Sequence, residues 1–375
     1  MKCSVSKTCG GCSMIETSYP QTLHKKRKRI QKLYEGYEVE LVRGMEQPYH
    51  YRHKVYATFH SDRKRGLYSG LYEEGSHRLV RTDDCLIQNE TANALIRDFT
   101  EIARGMRLTA YHEDTGTGVL RHLYLRVSHS TGRVLLVIVI GQRNLPGSKK
   151  LVSALLKSHP EIESIVLNYN SARTSMVLGE RESILYGRGY ITDTIGPYVF
   201  RISSHSFYQV NPVQTEVLYP TAIELAEIHE EDEVLDLCCG IGTISLLAAG
   251  KAKHVSGVEI VSSAVKDAIF NARENNVRNV SFYCADIAEY LERPHVRPDV
   301  VIADPARSGL RSKACHALGR LSPRCIVYVS CNPVTQAEDC RILEQYGYVP
   351  KRIIPVDMFC FTDHVETVCL LTHTG

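Results

Sequence analysis

The chain has 375 residues, enough for two domains that each bury a core of their own. Hydrophobic residues make up 43% and charged residues 23%, close to the globular average, which excludes a disordered chain. Residues 1–200 carry 29 Lys and Arg against 20 Asp and Glu (+9), whereas residues 201–375 carry 16 against 22 (−6). A basic half beside an acidic half suits a protein that holds a polyanion with one part and modifies it with the other, although ordinary solvated charge explains the difference equally well.

The apolar runs and the cysteines indicate the compartment. The longest unbroken apolar run, Val134–Ile140, is far shorter than the roughly 20 residues of a membrane-spanning helix. The 13 cysteines are too few for a disulfide scaffold, and an odd number suits a reducing environment. We therefore expect a soluble, monomeric, cytoplasmic protein without a membrane partner.

Three cysteines open the chain in a tight array. Cys3, Cys9 and Cys12 have the spacing C-x5-C-x2-C, and Cys85 is the candidate for a fourth thiolate. Four cysteines can hold zinc or an iron–sulfur cluster. A zinc ribbon usually supplies two close pairs, and Cys85 has no C-x-x-C partner, so the three-plus-one spacing favours a cluster. Unconnected reduced thiols are the remaining interpretation.

The rest of the first half alternates a few helices with many strands. The residues Tyr19–Glu35 predict a helix whose basic run, Lys25–Arg29, either forms a solvated face or meets phosphate oxygens. Two further helices are predicted near 91–103 and 149–158. The predicted strands have the sequences K-V-Y-A-T-F, G-L-Y-S-G-L-Y, L-Y-L-R-V-S, R-V-L-L-V-I-V-I and S-I-V-L-N-Y-N. This half is predicted to be an α+β domain.

After Gly196 and Pro197, short apolar strands alternate with helices. The predicted strands are V-L-D-L, V-S-G-V-E, V-S-F-Y-C-A-D, V-V-I-A-D and I-V-Y-V-S, and helices are predicted near Ser245 and over 264–275 and 334–345. This pattern predicts a doubly wound, Rossmann-like α/β sheet. We place the domain boundary between residues 198 and 199 and expect helix 18–35 to pack on the second domain.

Ligands of such sheets bind beyond the carboxyl ends of the strands, where polar residues of this chain collect. The first strand leads into D-L-C-C-G-I-G-T, in which Gly240 and Gly242 allow a ligand to approach the backbone closely. Glu259 ends the next strand and can accept hydrogen bonds from two ribose hydroxyls. The dinucleotide pattern G-x-G-x-x-G fails at Ser245, and Asp286 suits an adenine amino group. Together they predict S-adenosylmethionine rather than NAD.

Two further strand ends carry reactive side chains. Cys331 ends a strand immediately before Asn332 and Pro333, a location that favours an exposed, usable thiolate over a structural cysteine. His364 and Glu366 begin the last strand and are predicted to share one face, because side chains alternate along a strand. Either could be a base, whereas a simple surface charge is the alternative for Glu366.

These segments together resemble the RNA (uracil-5-)-methyltransferase family, specifically its iron–sulfur members that methylate 23S rRNA. The family's F-x-Q-V-N segment corresponds to Phe207–Asn211, its donor loop to D-L-C-C-G-I-G-T, and its D-P-P-R to Asp304–Arg307. The nucleophile motif S-C-N-P and the final H-V-E-T-V appear unaltered at Ser330–Pro333 and His364–Val368. The resemblance covers almost the whole chain.

The resemblance implies a mechanism and a set of site residues. Cys331 would add to carbon 6 of a flipped-out uracil, carbon 5 would take the methyl group, and Glu366 would then remove the carbon 5 proton. It implies that the four N-terminal cysteines hold a [4Fe-4S] cluster, with zinc the lesser candidate. The residues implied or predicted to contact S-adenosylmethionine are Gln209, Cys238, Gly240, Gly242, Thr243, Glu259, Asp286 and Asp304.

The chain departs from the family in two places. Cys238 stands where the family usually has an aromatic residue, and Ala306 replaces a proline. We expect the chain to be of the type that lacks the family's N-terminal β-barrel RNA-binding module, which favours 23S rRNA as the target. Methylation of uridine 54 in tRNA is the alternative.

Three other functions fit the sequence less well. RNA cytosine-5 methyltransferases use a further cysteine after the fourth strand, which D-P-A-R lacks, and adenine amino-methyltransferases need an aromatic residue where Arg307 stands. From a different class, the chain could be an inactive iron–sulfur protein that binds RNA or senses redox state. The intact S-C-N-P and H-V-E-T-V motifs argue against that interpretation.

Overall fold

The computed structural model describes residues 2–62, 66–76 and 78–374. The helices of these residues are α1 Tyr19–Leu33, α2 Glu90–Gly105, α3 Ser148–Ser158, α4 Pro212–Leu225, α5 Thr243–Ala249, α6 Ser262–Glu274, α7 Ile287–Leu291, α8 Arg311–Leu321 and α9 Pro333–Glu344. The strands of the first half are β1 Lys54–Asp62, β2 Gly66–Tyr72, β3 Leu79–Arg81, β4 Leu120–Val127, β5 Val134–Ile140, β6 Ile162–Tyr169, β7 Arg181–Tyr186, β8 Tyr190–Ile195 and β9 Tyr198–Ser203. Those of the second half are β10 Glu233–Leu237, β11 His254–Glu259, β12 Val280–Cys284, β13 Val300–Ala303, β14 Cys325–Ser330, β15 Tyr348–Val356 and β16 Glu366–His373.

The first half contains a seven-stranded sheet in the order β3-β2-β1-β4-β5-β6-β7. Neighbouring strands of this sheet are antiparallel, except that β5 and β6 run parallel and are joined through α3. Every residue of β5 is buried: Leu136 and Ile138 contact the core beneath α2 and α3, whereas Val137 and Val139 contact the core on the opposite face. Burial of both faces explains the unbroken apolar sequence of this strand.

The second half is a seven-stranded sheet in the order β12-β11-β10-β13-β14-β16-β15. Strands β10 to β14 are parallel, and β16 runs antiparallel to both β14 and β15. This arrangement confirms the predicted doubly wound α/β sheet. Because β16 is reversed, its first residues lie at the same edge as the last residues of β14, with Thr367 opposite Ser330.

The two halves share a continuous core. The hairpin of β8 and β9 packs between them, and its Ile191 and Phe200 belong to the same buried cluster as Val137 of β5 and Val327 of β14. The position between residues 198 and 199 lies at the start of β9, inside this hairpin.

Helix α1 packs on the second sheet, although it belongs to the first part of the sequence. Ile30 and the following Tyr34 are buried in the core formed by β14, β16 and α9. Lys26, buried on the same face, forms a 2.5 Å ion pair with Asp357, which follows β15. No helix among the described residues has the length and apolar character needed to cross a membrane.

Candidate active site

The nucleophile candidate lies at the carboxyl edge of the second sheet. Cys331 follows the last residue of β14 and is partly buried. Asn332 caps α9 by accepting a hydrogen bond from the Val334 amide, and Pro333 occupies the first turn of that helix. The Asn332 amide also donates to Ser330 Oγ over 3.0 Å. Because the cap and the proline end the strand at this point, the Cys331 thiol lies at the edge of the sheet, where the Arg307 side chain hydrogen-bonds it.

The Cys331 thiol ionises less readily than the sequence position predicts. Burial, reinforced by the carboxylates of Glu366 and Asp304, raises the pKa of Cys331 to about 11. The Arg307 side chain hydrogen-bonds the sulfur and lowers the pKa, but by less than the other groups raise it. The Cys331 thiol is therefore protonated at neutral pH, and one guanidinium is in place to stabilise the thiolate when it forms.

Glu366 is buried, with 3% of its surface exposed, which excludes a simple surface charge. Burial raises its pKa well above the ordinary value, and the neighbouring Asp304 adds to that effect. The prediction that His364 begins the last strand together with Glu366 is wrong, because β16 begins only at Glu366 and His364 lies exposed two residues before it. There the His364 ring contacts the Arg307 guanidinium over 2.9 Å.

Asp304 links the nucleophile to the donor loop. It follows β13, and its amide donates to the Leu237 carbonyl of β10 over 3.2 Å. Burial raises the pKa of Asp304 to about 7. A carboxyl with this pKa can hold or release a proton near neutral pH. Asp304 is also close enough to Cys331 and Glu366 to raise the pKa of each.

Sequence reasoning missed one member of this group, Tyr219 of α4. Its hydroxyl accepts a hydrogen bond of 3.2 Å from Gln209 Nε2 and interacts with the Thr243 side chain. Burial raises the Tyr219 pKa, and Asp304 and Glu366 raise it further. Tyr219 could have been found from its spacing, because it lies one helical turn after Thr215 and both polar side chains are on the buried side of α4.

The loop after β10 has the backbone shape that close ligand approach requires. Cys238, Gly240 and Gly242 all have positive φ, at 63°, 55° and 86°. A Cβ on Gly242 would lie 2.9 Å from the Phe282 ring, so glycine is required there for space as well as for conformation. The Cys238 sulfur accepts a hydrogen bond from the Ala306 backbone, and burial raises its pKa. This side chain therefore joins the donor loop to the loop that carries Asp304.

The two carboxylates predicted to contact the nucleoside lie on the same edge. Glu259 accepts hydrogen bonds from the amides of Gly240, over 3.1 Å, and Val261, over 2.8 Å. Asp286 is exposed, and its Oδ1 caps α7 by accepting from the amides of Ala288 and Glu289. Asp286 thus has a structural role as the cap of α7, and its contact with an adenine stays a prediction.

The four N-terminal cysteines lie in one region of the first half. Burial raises the pKa of Cys12 to about 12, and the thiols of Cys85, Cys9 and Cys3 add to the effect. Among the described residues, no group of three or more His, Cys, Asp or Glu side chains has a geometry that could hold a metal ion. The donor set nevertheless fits a metal site in its chemistry, because all four donors are thiols.

Backbone amides are directed at two of these sulfurs. The Gly11 amide donates to Cys9 Sγ over 3.4 Å, and the amides of Ile87 and Gln88 hydrogen-bond Cys85. Hydrogen bonds of this kind surround the sulfurs of cysteine-ligated clusters. Cys12 and Cys85 also pack against a buried cluster that consists of Tyr51, Ile87, Cys360 and Phe361, the last two of which lie in the segment that leads to Glu366.

Comparison with known proteins identifies the family. The profile of the family described as tRNA (uracil-5-)-methyltransferase matches residues 18–374. An uncharacterized RNA methyltransferase of Halalkalibacterium halodurans is 41% identical over 378 residues, which cover 98% of this chain and 82% of that protein. A second, from Clostridium tetani, is 40% identical over 382 residues, covering 100% of this chain and 83% of that protein.

A solved structure extends the similarity to three dimensions. The tRNA (uracil-54, C5)-methyltransferase of Pyrococcus abyssi, in complex with S-adenosyl-L-homocysteine, superposes with a TM-score of 0.82 at 28% identity. The match covers 98% of this chain and 86% of that chain. The chain therefore belongs to the RNA (uracil-5-)-methyltransferase family and uses S-adenosylmethionine to methylate carbon 5 of uracil in RNA.

Proposed function

We propose that the chain methylates one uridine of 23S rRNA through a covalent bond between Cys331 and the uracil ring. The observation that carries the mechanism is the convergence of one thiol, two carboxyls and one guanidinium at the same strand ends. Cys331 directly follows β14, Glu366 starts the antiparallel β16 beside it, and Asp304 directly follows the neighbouring β13. Arg307 hydrogen-bonds the thiol from the loop after Asp304.

The first step makes carbon 5 nucleophilic. The Cys331 thiol loses its proton, and the sulfur adds to carbon 6 of the uracil, so that the electrons of the 5,6 double bond move to carbon 5 and the carbonyl at carbon 4. Arg307 stabilises the thiolate before it attacks. The nearby Asp304, whose pKa is raised to about 7, is the group best suited to accept the thiol proton at neutral pH.

The donor occupies the loop after β10 and the neighbouring strand ends. We propose that Glu259 and Asp286 hold its ribose and adenine, that Gly240, Gly242 and Thr243 line its path, and that Gln209, Cys238 and Asp304 lie beside its reactive end. S-adenosylmethionine would supply a methyl group bound to a positively charged sulfur; as the electron-rich carbon 5 accepts this group, the bond between sulfur and methyl would break and leave a neutral thioether. The hydrogen bond from Gln209 to Tyr219 fixes that wall of the site.

The last step restores the aromatic ring. Carbon 5 then carries both the methyl group and its original proton, and Glu366 removes that proton. The electrons re-form the 5,6 double bond, the bond between carbon 6 and sulfur breaks, and Cys331 leaves as a thiolate. Burial of Glu366 makes its ionised form a stronger proton acceptor than an exposed glutamate.

The covalent step is tested with RNA that contains 5-fluorouridine. Fluorine at carbon 5 cannot be removed as a proton, so the protein and RNA should remain joined after methyl transfer and migrate together on a denaturing gel. Cys331→Ala should lose the adduct completely. The matched control is Cys284→Ala, because Cys284 is an exposed cysteine at the end of β12. An adduct in the Cys331→Ala protein would refute the assigned nucleophile.

The RNA target has a second candidate. The similarity to the tRNA (uracil-54, C5)-methyltransferase of Pyrococcus abyssi favours uridine 54 of tRNA, whereas the cysteine array favours 23S rRNA. Purified tRNA and 23S rRNA, each transcribed without modifications, are incubated with the enzyme and labelled donor. We expect 5-methyluridine in the 23S transcript. If only position 54 of the tRNA is labelled, tRNA and not 23S rRNA is the target.

The cysteine array is proposed to hold a [4Fe-4S] cluster through Cys3, Cys9, Cys12 and Cys85. Such a cluster would supply a rigid anchor for the N-terminal segment, and no step of methyl transfer passes through it. Anaerobically purified protein should be brown and contain iron and sulfide, and Cys12→Ser should lose both. A colourless protein with stoichiometric zinc would assign the site to zinc.

A further inference from the structure

Helix α1 has one face buried against the catalytic half and one face exposed. Thr22, Lys26 and Ile30, which recur every four residues, are buried. The Lys26 ammonium forms an ion pair with the Asp357 carboxylate and donates a hydrogen bond of 3.0 Å to the Phe359 carbonyl. The buried face therefore fixes the position of the helix without help from the outer face.

The outer face of α1 is basic and has no acidic partner on the helix. The sequence of α1, Y-P-Q-T-L-H-K-K-R-K-R-I-Q-K-L, contains no Asp or Glu. Among the described residues, the only ion pair that involves this helix is the buried one of Lys26. The exposed basic positions are His24, Lys25, Lys28, Arg29 and Lys32.

Three of these lysines form a stripe. Lys25, Lys28 and Lys32 are three and four residues apart, so they lie on one side of the helix over about 10 Å. A nucleic-acid strand in a duplex carries one charge per about 3.4 Å, so a stripe of this length faces more than one phosphate.

Helix α1 is connected to the segment before β16 by Arg29, which neighbours Lys28 in the sequence. Arg29 Nη1 donates a hydrogen bond of 2.9 Å to the Asp363 carbonyl. The next residue, His364, contacts Arg307, which in turn hydrogen-bonds Cys331. The contacts of Arg29 with Asp363, of His364 with Arg307 and of Arg307 with Cys331 thus connect α1 to the reacting sulfur through one loop, so an RNA strand bound at Cys331 can extend toward this helix.

We propose that Lys25, Lys28 and Lys32 bind phosphate groups of the substrate RNA beside the methylated uridine. The partner is RNA rather than an acidic membrane surface, because the apolar side of α1 is covered by the protein and cannot enter lipid. The proposal rests on the proposed function only in that the uracil reacts at Cys331.

The test is the salt dependence of RNA binding. The variant Lys25→Gln/Lys28→Gln/Lys32→Gln leaves Arg29 and the buried face intact. Its affinity for a fluorescein-labelled oligouridylate is measured by anisotropy over a range of KCl concentrations. Each lost contact to single-stranded RNA should reduce the slope of log K against log salt by about 0.7, so the triple variant should lose about 2.

A matched control separates this surface from charge in general. Lys149, Lys150 and Lys157 are exposed on α3, which packs on the outer face of the first sheet. Their triple exchange to Gln makes the same change in net charge. This control should reduce the slope of log K against log salt by less than half as much as the α1 variant does. An equal loss in both variants, or an unchanged slope in the α1 variant, overturns the proposal. So does loss of binding to phosphatidylserine vesicles with unchanged RNA binding.

Failure of the mechanism is distinguishable from failure of this inference. The α1 variant should raise KM for RNA at least tenfold, keep its kcat at saturating RNA and still form the 5-fluorouridine adduct. Cys331→Ala should show the opposite result: wild-type salt slope and no adduct. A normal KM in the α1 variant contradicts the phosphate contacts even if the mechanism is correct.

Discussion

Gln336 connects β14, which leads to Cys331, to β16, which begins at Glu366. Thr367 Oγ1 donates a hydrogen bond of 2.5 Å to Gln336 Oε1, and Gln336 Nε2 donates to the carbonyls of Tyr328, over 2.7 Å, and Thr367, over 3.2 Å. Tyr34, which follows α1, donates to the same Oε1 over 2.8 Å. Gln336 is completely buried behind the site, so it positions Cys331 and Glu366 without contacting the substrate.

Gln336→Leu should therefore reduce kcat without changing KM for RNA. The exchange leaves Tyr34 and Thr367 without their shared acceptor and lets the two strand ends separate, and a shift of about 1 Å can cost roughly a hundredfold in rate. We also expect a loss of about 1–3 kcal/mol in the free energy of unfolding, measured with urea. The exposed Gln345 at the end of α9 supplies the control Gln345→Leu. A normal kcat in a destabilised Gln336→Leu protein would limit this residue to a structural role.

The ionisation of Cys331 predicts a steep pH dependence. Its pKa is raised to about 11, so the thiolate fraction, and with it the alkylation rate by iodoacetamide in the absence of RNA, should increase roughly tenfold per pH unit up to that pKa. Because Arg307 lowers the pKa, Arg307→Gln should raise it and slow alkylation at every pH below it. Mass spectrometry of the Cys331 peptide measures the rate, and the exposed Arg320→Gln is the control. Faster alkylation in the Arg307 variant would reverse the assigned electrostatic role.

Glu366→Gln should stop the reaction after methyl transfer. The amide cannot accept the carbon 5 proton, so the covalent complex with ordinary uridine RNA should accumulate and survive denaturation, while release of methylated RNA falls by about 10²- to 10⁴-fold. Gel analysis with labelled donor detects the complex. Glu274→Gln, an exposed exchange on α6, should turn over normally. Normal product release by the Glu366 variant would assign proton removal to another group.

The buried ion pair between Lys26 and Asp357 predicts a large effect on stability. Lys26→Met leaves the Asp357 carboxylate buried without its cation, which should cost about 3–5 kcal/mol in the free energy of unfolding. Lys26→Met/Asp357→Leu removes both charges and should recover part of this loss, although Tyr19 then lacks its 2.8 Å hydrogen bond to Asp357. Urea denaturation of the two variants makes the comparison. A double variant that is less stable than Lys26→Met alone would contradict the predicted coupling between the two residues.

The sequence predicted those features that depend on residues close together in the chain. The apolar period of β10 to β14 and the intervening helices predicts a doubly wound sheet, since parallel strands with both faces covered require such runs. The same local order places Cys331 beyond β14, because Asn332 and Pro333 end the strand there, and it places the positive-φ glycines after β10. These predictions did not depend on knowing which distant residues meet.

Only the tertiary structure determined the electrostatics of the site and the residues that support it. The raised pKa of Cys331 arises from the burial of its thiol and from carboxyls contributed by two other strands, and neither can be derived from S-C-N-P. The contribution of Tyr219 and the shared acceptor of Tyr34 and Thr367 join elements that are far apart in sequence. Local sequence determines which elements form, but desolvation and charge coupling depend on three-dimensional packing, because both are set by everything within a few ångströms of a group.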